Sequence, residues 1–261
     1  MNVWLMGGFG NVLFQILAYR VLIDQGHKSK YITFLTERNM LTKLMRWNIH
    51  QVLYKDLIHE AEIRKIALFH AIVIVVMGYF TKVVYQKVKI ATFYNDTNKF
   101  EKPYAYNIFG YFQEIPFLTK NQKLLKQLGE DLRHLYAIPS EITVVHYRRG
   151  DSEWAKKHEN YYVQVRNMVH KELSDIIIVT DSLDAATVFF GNYAHIKIIS
   201  SNNALDDFKI MVSAKKLYCA PSTFSWWAAH ALEDKTEVII PSFFRENLGI
   251  YREQNCIVVE C

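Results

Sequence analysis

In the second half of the chain the apolar positions fall in short unbroken runs. Ile142–His146 (ITVVH), Ile176–Thr180 (IIIVT), Ile196–Ile199 (IKII), Lys216–Ala220 (KLYCA) and Glu237–Ile240 (EVII) each have the length of a strand. Helical or loop-like segments separate them. Strands that are apolar throughout, alternating with helices, predict a parallel sheet covered on both faces. The first half opens in a related way. Met1–Met6 (MNVWLM) predicts a strand and Gly7–Asn11 (GGFGN) a tight turn. A helix through about Asp24 and a second short strand at Tyr31–Leu35 complete a βαβ opening. Thr36–Lys102 reads as less regular and mostly helical. Tyr104–Phe109 predicts a strand closed by Gly110. One helix is expected over Ile115–Tyr136, where Leu124, Leu125, Leu128, Leu132 and Leu135 recur at helical spacing. The expected fold class is α/β with two Rossmann-like lobes, residues 1–138 and 139–261. The seam falls near Ala137-Ile138-Pro139-Ser140. No internal repeat or low-complexity tract interrupts this plan.

Composition narrows the function classes. With 51% hydrophobic and 22% charged residues in 261, the chain can bury a real core, which excludes a disordered protein. Only 10 Gly and 5 Pro exclude a collagen-like chain. The net charge of +5 favours an anionic ligand but is too small to mark a nucleic-acid binder. Cys219, Cys256 and Cys261 show neither a C-x-x-C pair nor zinc spacing, so free thiols in a reducing cytoplasm are expected. The N-terminus has no basic region followed by an apolar core, so no signal peptide is expected. The apolar run Ile66–Phe80 falls short of the roughly 20 residues that span a bilayer. Its plain reading is a buried helix or strand. The alternative is shallow contact with anionic lipid, helped by Lys82, Lys87 and Lys89. The expected location is cytoplasmic, with a peripheral position at the inner face of the plasma membrane as that alternative.

In open α/β sheets, ligands bind beyond the carboxyl ends of the strands. This rule selects the loops after Met6, Val145, Val179 and Cys219. His146-Tyr147-Arg148-Arg149-Gly150-Asp151 ends a buried strand. Two adjacent guanidiniums there call for an anion, and an Arg fork matches phosphate oxygens. An internal Arg–Asp salt bridge is the competing reading. Ala220-Pro221-Ser222-Thr223-Phe224-Ser225-Trp226-Trp227 follows a strand and opens a helix, so its amides and dipole make an anion site. Simple capping competes with that reading, and Trp226 and Trp227 read as packing. GGFGN is a Gly-rich turn but neither G-x-G-x-x-G nor a P-loop. Asp181 is a carboxylate at a strand end. Asp206-Asp207 leads a helix after Asn202-Asn203, where either Asp could be a cap. No D-x-D occurs; the nearest is Asp151-Ser152-Glu153. A diphosphate would then be neutralised by Arg and helix dipoles without a metal. A nucleotide-sugar transferase fits this reading.

The ordered set GGFGN at 7–11, Gly110-Tyr111-Phe112-Gln113, His146–Asp151, Tyr161-Tyr162, Asp207 and Ser222–Trp227 resembles the bacterial α-1,2-fucosyltransferases of glycosyltransferase family 11. The resemblance implies a GT-B-type fold with a cleft between its lobes. It also implies a GDP-fucose donor and metal-independent, inverting transfer to a galactose-type hydroxyl. The expected acceptor is a galactose-containing glycan or lipid-linked oligosaccharide. By the same resemblance, Arg148 meets the diphosphate, while His146 and Asp207 help hold the nucleotide; Arg149 and Asp181 are expected on the donor side with them. Ser222, Thr223, Phe224 and Ser225 cradle phosphate. Gly8, Gly10 and Asn11 reach the donor from the first lobe. Phe9, Tyr111, Phe112 and Gln113 lie on the acceptor side, and the aromatic residues among them, with Tyr161 and Tyr162, would line a sugar groove. Asp151, with Glu153 behind it, is the candidate base. The chain departs from the family pattern at Val12, where Gln is usual, and at Ser152, where Tyr is common. The alternatives are a GT-B transferase with another nucleotide sugar and a non-catalytic glycan- or nucleotide-binding relative. No cofactor and no nucleic-acid partner are expected.

Overall fold

The computed structural model describes residues 2–5, 7–34, 56–58, 62–66, 92–94, 107–149, 157–191, 193–200, 203–250 and 255–261. Packing divides the chain into two compact units, Met1–Leu124 and Leu125–Cys261.

The first unit holds a parallel sheet of β1 (Asn2–Trp4), β2 (Lys30–Phe34), β3 (Ile63–Ile66), β4 (Thr92–Tyr94) and β5 (Asn107–Phe109). Its order is β3-β2-β1-β5-β4. Helix α1 (Phe9–Asp24) is apolar nearly all round and correspondingly buried from Phe9 to Tyr19 except at Asn11. Its buried Gln15 donates from Nε2 to Gly110 O at 3.1 Å, satisfying an amide that would otherwise be costly inside. Two expectations are corrected in this unit. The described pieces of the stretch expected to be mostly helical include the strands β3 and β4. Strands of three or four residues are too short for periodicity to separate them from helix. The single helix expected over Ile115–Tyr136 is two, α2 (Ile115–Lys120) and α3 (Gln122–Tyr136). Asn121 divides them, its Nδ2 donating to Phe117 O at 2.8 Å to hold the C-terminal turn of α2. Residues 67–80 and Lys82, Lys87 and Lys89 lie outside the described residues. Among the described residues no helix is long and apolar enough to cross a membrane.

The second unit holds β6 (Thr143–Tyr147), β7 (Ile176–Thr180), β8 (Ile196–Ile199), β9 (Lys216–Tyr218), β10 (Glu237–Pro241) and β11 (Cys256–Val259). All are parallel, in the order β11-β10-β9-β6-β7-β8. Five of these match the expected runs; β11 was not anticipated. The helices are α4 (Glu159–Val169), α5 (Leu183–Phe190), α6 (Ala204–Val212), α7 (Thr223–Ala231) and α8 (Ser242–Asn247). The core beside β6 and β7 is aromatic: Tyr147, Tyr161, Tyr162 and Phe190 are buried together. Trp226 and Trp227 are fully buried packing residues, as expected, with Trp226 Nε1 donating to Gly249 O at 2.9 Å. The segment joining α3 to β6 is pinned to the end of α6, Ile138 N donating to Ser213 Oγ and Ser140 N to Ser213 O. The three cysteines are free.

Helix α3 packs against the end of α7 through Gly129. A Cβ at that position would stand 2.6 Å from the His230 carbonyl oxygen, a backbone atom with little room to yield. Gly129→Ala is expected to destabilise the second unit by about 1–3 kcal/mol despite the better helix propensity of Ala. Urea unfolding measures it, and an unchanged midpoint would refute the close approach.

Candidate functional site

The strand orders locate the ligand positions. In the second sheet the chain runs outward from β6 through β7 to β8, and from β9 through β10 to β11 on the other side. The order therefore reverses between β6 and β9, the position beyond whose carboxyl ends open α/β sheets bind ligands. Beyond those two strands lie His146–Arg149 and Cys219–Ser225. In the first sheet the reversal falls between β1 and β5. Beyond those lie Gly7–Asn11 and Gly110–Gln113. Gln113 Nε2 donates to Asn11 Oδ1 at 2.9 Å, so these two loops are joined. The chain thus has one candidate site at the reversal of each sheet.

At the second reversal, α7 begins where β9 ends. Ser222 is its N-cap, with extended backbone and with Oγ accepting from Ser225 N at 3.2 Å. The positive end of the α7 dipole therefore lies at the carboxyl edge of the sheet, as an anion requires. Ser225, one turn on, is fully buried. Its Oγ accepts from Ala220 N at 3.0 Å and meets His146 Nδ1 at 2.5 Å. The end of β6 is tied in this way to the turn between β9 and α7. His146 is 6% exposed, and Phe224 packs edge-on against its ring with centroids 5.6 Å apart. Burial, and then the charge of Arg148, push the imidazole pKa from 6.5 down to about 3, so the ring is neutral.

The two arginines diverge. Arg148 is fixed through its backbone: its N–H donates to Tyr162 Oη at 3.4 Å and its carbonyl accepts from the same hydroxyl at 3.3 Å. Its side chain, one-third exposed, has Nε 3.7 Å from Asp181 Oδ2. Asp181 Oδ1 also accepts from Arg149 N at 2.8 Å. Arg149 Nε donates to Tyr147 Oη at 2.9 Å, its Nη2 pairs with Glu159 at 2.5 Å, and its guanidinium lies by the Tyr147 and Tyr162 rings.

These contacts revise several expectations. Arg149 is engaged inside the unit by Tyr147 and Glu159. Asp181 orients the arginines. The Ser225 hydroxyl is buried and engaged within the fold, and Phe224 is 9% exposed, packed on His146 and Phe208. The helix holding Asp207 is capped by neither Asp: Asn203 Oδ1 accepts from Leu205 N at 3.0 Å. In the first unit Phe9 and Phe112 are 4% and 2% exposed, and Gly10 is buried in α1. Phe112 packs against Phe117. With Tyr161 and Tyr162 fully buried as well, these aromatics are core and not groove lining. Tyr111, Gln113 and Asn11 are partly accessible and Gly8 is exposed; Ser222 and Thr223 are likewise partly accessible at the α7 start. Asp151 and Glu153 lie outside the described residues. Sequence reasoning missed the Tyr162 hydroxyl as the holder of Arg148, and Glu159 as the partner of Arg149. It also passed over Gly7 as a single position: its φ of +85° strains any other residue, and a Cβ there would press on the Asn11 side chain at 2.8 Å. The double glycine was the available signal for that position.

No family model matches the chain. It is 27% identical over 188 residues to the O-antigen biosynthesis glycosyltransferase WbnK of Escherichia coli, a span of 60% of this chain and 62% of the relative. The match therefore covers less than two thirds of that relative's length. Among solved structures, the E. coli heptosyltransferase WaaC with ADP superposes over 100% of this chain and 93% of its own, with a TM-score of 0.52 at 10% identity. The same enzyme with ADP-2-deoxy-2-fluoro heptose gives 0.50 over 99% of this chain and 93% of its own. The fold is accordingly α/β with parallel sheets, of the GT-B type. The α-1,6-fucosyltransferase NodZ soaked with GDP-fucose superposes at 0.40 over 88% of this chain and 91% of its own, too loosely to bear on the reaction.

The neutral state of His146 has a consequence for stability. The unfolded ring protonates near pH 6.5 and the native ring only near 3. Between those values the unfolded chain binds the extra proton, so this contribution is present above pH 6.5 and is lost on acidification toward pH 3. Unfolding free energy measured from pH 7 to 4 should fall more steeply in the wild type than in His146→Asn. Parallel slopes would refute a buried neutral imidazole.

Proposed function

We propose that the chain is a glycosyltransferase that holds a nucleoside diphosphate sugar at the β6–β9 reversal of its second unit. The observation that carries this reading is that the parallel pair β6 and β9 brings the segment holding Arg148 and the capped N-terminus of α7 (Ser222–Thr223) to one sheet edge, tied together through Ser225 and His146. A permanent cation and a helix dipole at one strand edge fit a diphosphate. The likeness to WbnK, named as an O-antigen biosynthesis glycosyltransferase, and the fold likeness to a heptosyltransferase support the class.

Within that class we assign GDP-fucose as donor and a galactose-type hydroxyl of a glycan or lipid-linked oligosaccharide as acceptor, with α-1,2 linkage. Support comes from the residues at 7–11, 110–113, 146–151 and 222–227 that resemble family 11. The acceptor oxygen attacks C1 of fucose as the bond from C1 to the phosphate oxygen breaks. The hydroxyl proton passes to Asp151, or to Glu153 behind it, and GDP departs with the bonding pair. C1 inverts. Arg148 and the α7 dipole stabilise the charge that builds on GDP, work that a metal would otherwise do. Such an enzyme would act in the cytoplasm, or peripherally at the inner face of the plasma membrane, in surface-polysaccharide assembly.

Arg148→Ala should lower transfer from GDP-fucose to a galactoside by about 10²–10³-fold, with the melting temperature little changed, because Tyr162 holds the backbone at that position. Wild-type activity in this variant would refute the diphosphate role. Faster turnover of UDP- or dTDP-sugars in the same assay would favour a transferase with another donor. Transfer should also persist in EDTA; loss with chelator and recovery with a divalent ion would refute the metal-free step.

A further inference from the structure

The Ser225 hydroxyl is sealed inside the fold, yet it determines what His146 can offer a ligand. Ser225 Oγ accepts from Ala220 N and carries one proton of its own. Among the described residues, His146 Nδ1 is the acceptor within reach of that proton. If Nδ1 instead carried a hydrogen and donated to Oγ, the serine proton would be buried without a partner, an arrangement that folded proteins rarely keep. The serine therefore donates, Nδ1 accepts, and the ring hydrogen sits on Nε2. Among the described residues no acceptor takes that Nε2–H. The ring itself is steered by the edge-on Phe224, and it stands at the carboxyl end of β6, two residues before Arg148.

We propose that Ser225 is a positioning residue that locks His146 in its Nε2–H tautomer, so that the imidazole presents a neutral N–H donor to an anionic ligand group at the β6–β9 reversal. The ligand half of this proposal rests on the donor reading above; the tautomer half stands on the ligand-free protein. Ser225 acts at one remove: it holds the turn that starts α7 through Ala220, and through His146 it sets a hydrogen-bond donor beside Arg148. A neutral donor fits this place, because a second cation beside Arg148 would be opposed by its charge.

The test is nitrogen NMR of the full chain labelled with ¹⁵N-histidine, followed by titration with GDP. In the ligand-free wild type, His146 should show a protonated Nε2 and an unprotonated, hydrogen-bonded Nδ1, and this pattern should persist to pH 5. GDP should perturb Nε2 more than Nδ1. Ser225→Ala should give a mixture of tautomers and weaken GDP binding by roughly tenfold, while Ser225→Thr, which keeps a hydroxyl, should restore the single tautomer. A wild-type ring with its hydrogen on Nδ1, or a tautomer unchanged in Ser225→Ala, would overturn the lock. The wild-type spectrum decides this even if the alanine variant fails to fold. A locked ring in a protein that does not bind GDP would instead overturn the ligand half together with the donor reading.

Discussion

The parallel pairing of β6 with β9 is the constraint on which the candidate site depends. In a parallel sheet every strand delivers its carboxyl end to the same edge. Two consecutive strands in sequence, such as β6 and β7, use their crossover to cover one face. Only where the order reverses are two loops left side by side without a crossover between them. β6 and β9 occupy that place, 79 residues separating His146 from Ser225 along the chain. Side-chain bonds close the gap that the backbone leaves: Tyr161 Oη donates to Cys219 O, and Ser225 bridges His146 and Ala220. Without the pairing, the His146–Arg149 segment and the start of α7 would not be neighbours.

The same edge explains why two adjacent arginines play different parts. Successive side chains in an extended segment leave it in opposite directions. Arg149 turns toward Tyr147, Tyr162 and Glu159, where aromatic faces and a carboxylate satisfy it. Arg148 is held by its backbone, which leaves its longer side chain to be oriented by Asp181. The sequence pattern allowed either a ligand role or an internal ion pair for these residues. In the fold each arginine has a carboxylate partner, Asp181 for Arg148 and Glu159 for Arg149.

What the sequence made legible follows burial. Ile176–Thr180 matches β7 residue for residue, because an unbroken apolar run of this length has few other ways to fold, and Ile196–Ile199 matches β8 on its three isoleucines. β3 and β4 are short and β11 alternates between exposed and covered positions, so their signals are weak. The motif loops were legible as places, since glycines and hydroxyl residues after strands mark turns and caps. The roles inside them were less so. In Ser222-Thr223-Phe224-Ser225 both serines suit a helix start, but one turn of helix separates the cap from a side chain sealed in the core. Phe9 and Phe112 likewise look like groove aromatics by their neighbours and are core by their packing. Burial of a single side chain depends on contacts distant in sequence, and one sequence does not display those.

At the proposed donor site, the division of charge at the β6–β9 reversal favours a hold on an anion that changes little with pH. An arginine side chain is a standing cation. The α7 dipole does not titrate. His146 is the group that could have varied, and burial together with Arg148 keeps it neutral down to about pH 3. An imidazolium there would add attraction for phosphate but would oppose Arg148 and would leave Ser225 facing an N–H instead of an acceptor. A neutral ring avoids both conflicts and still supplies a directed hydrogen bond. The arrangement puts attraction in the arginine and the helix, and direction in the histidine, so that neither property is gained at the expense of the other.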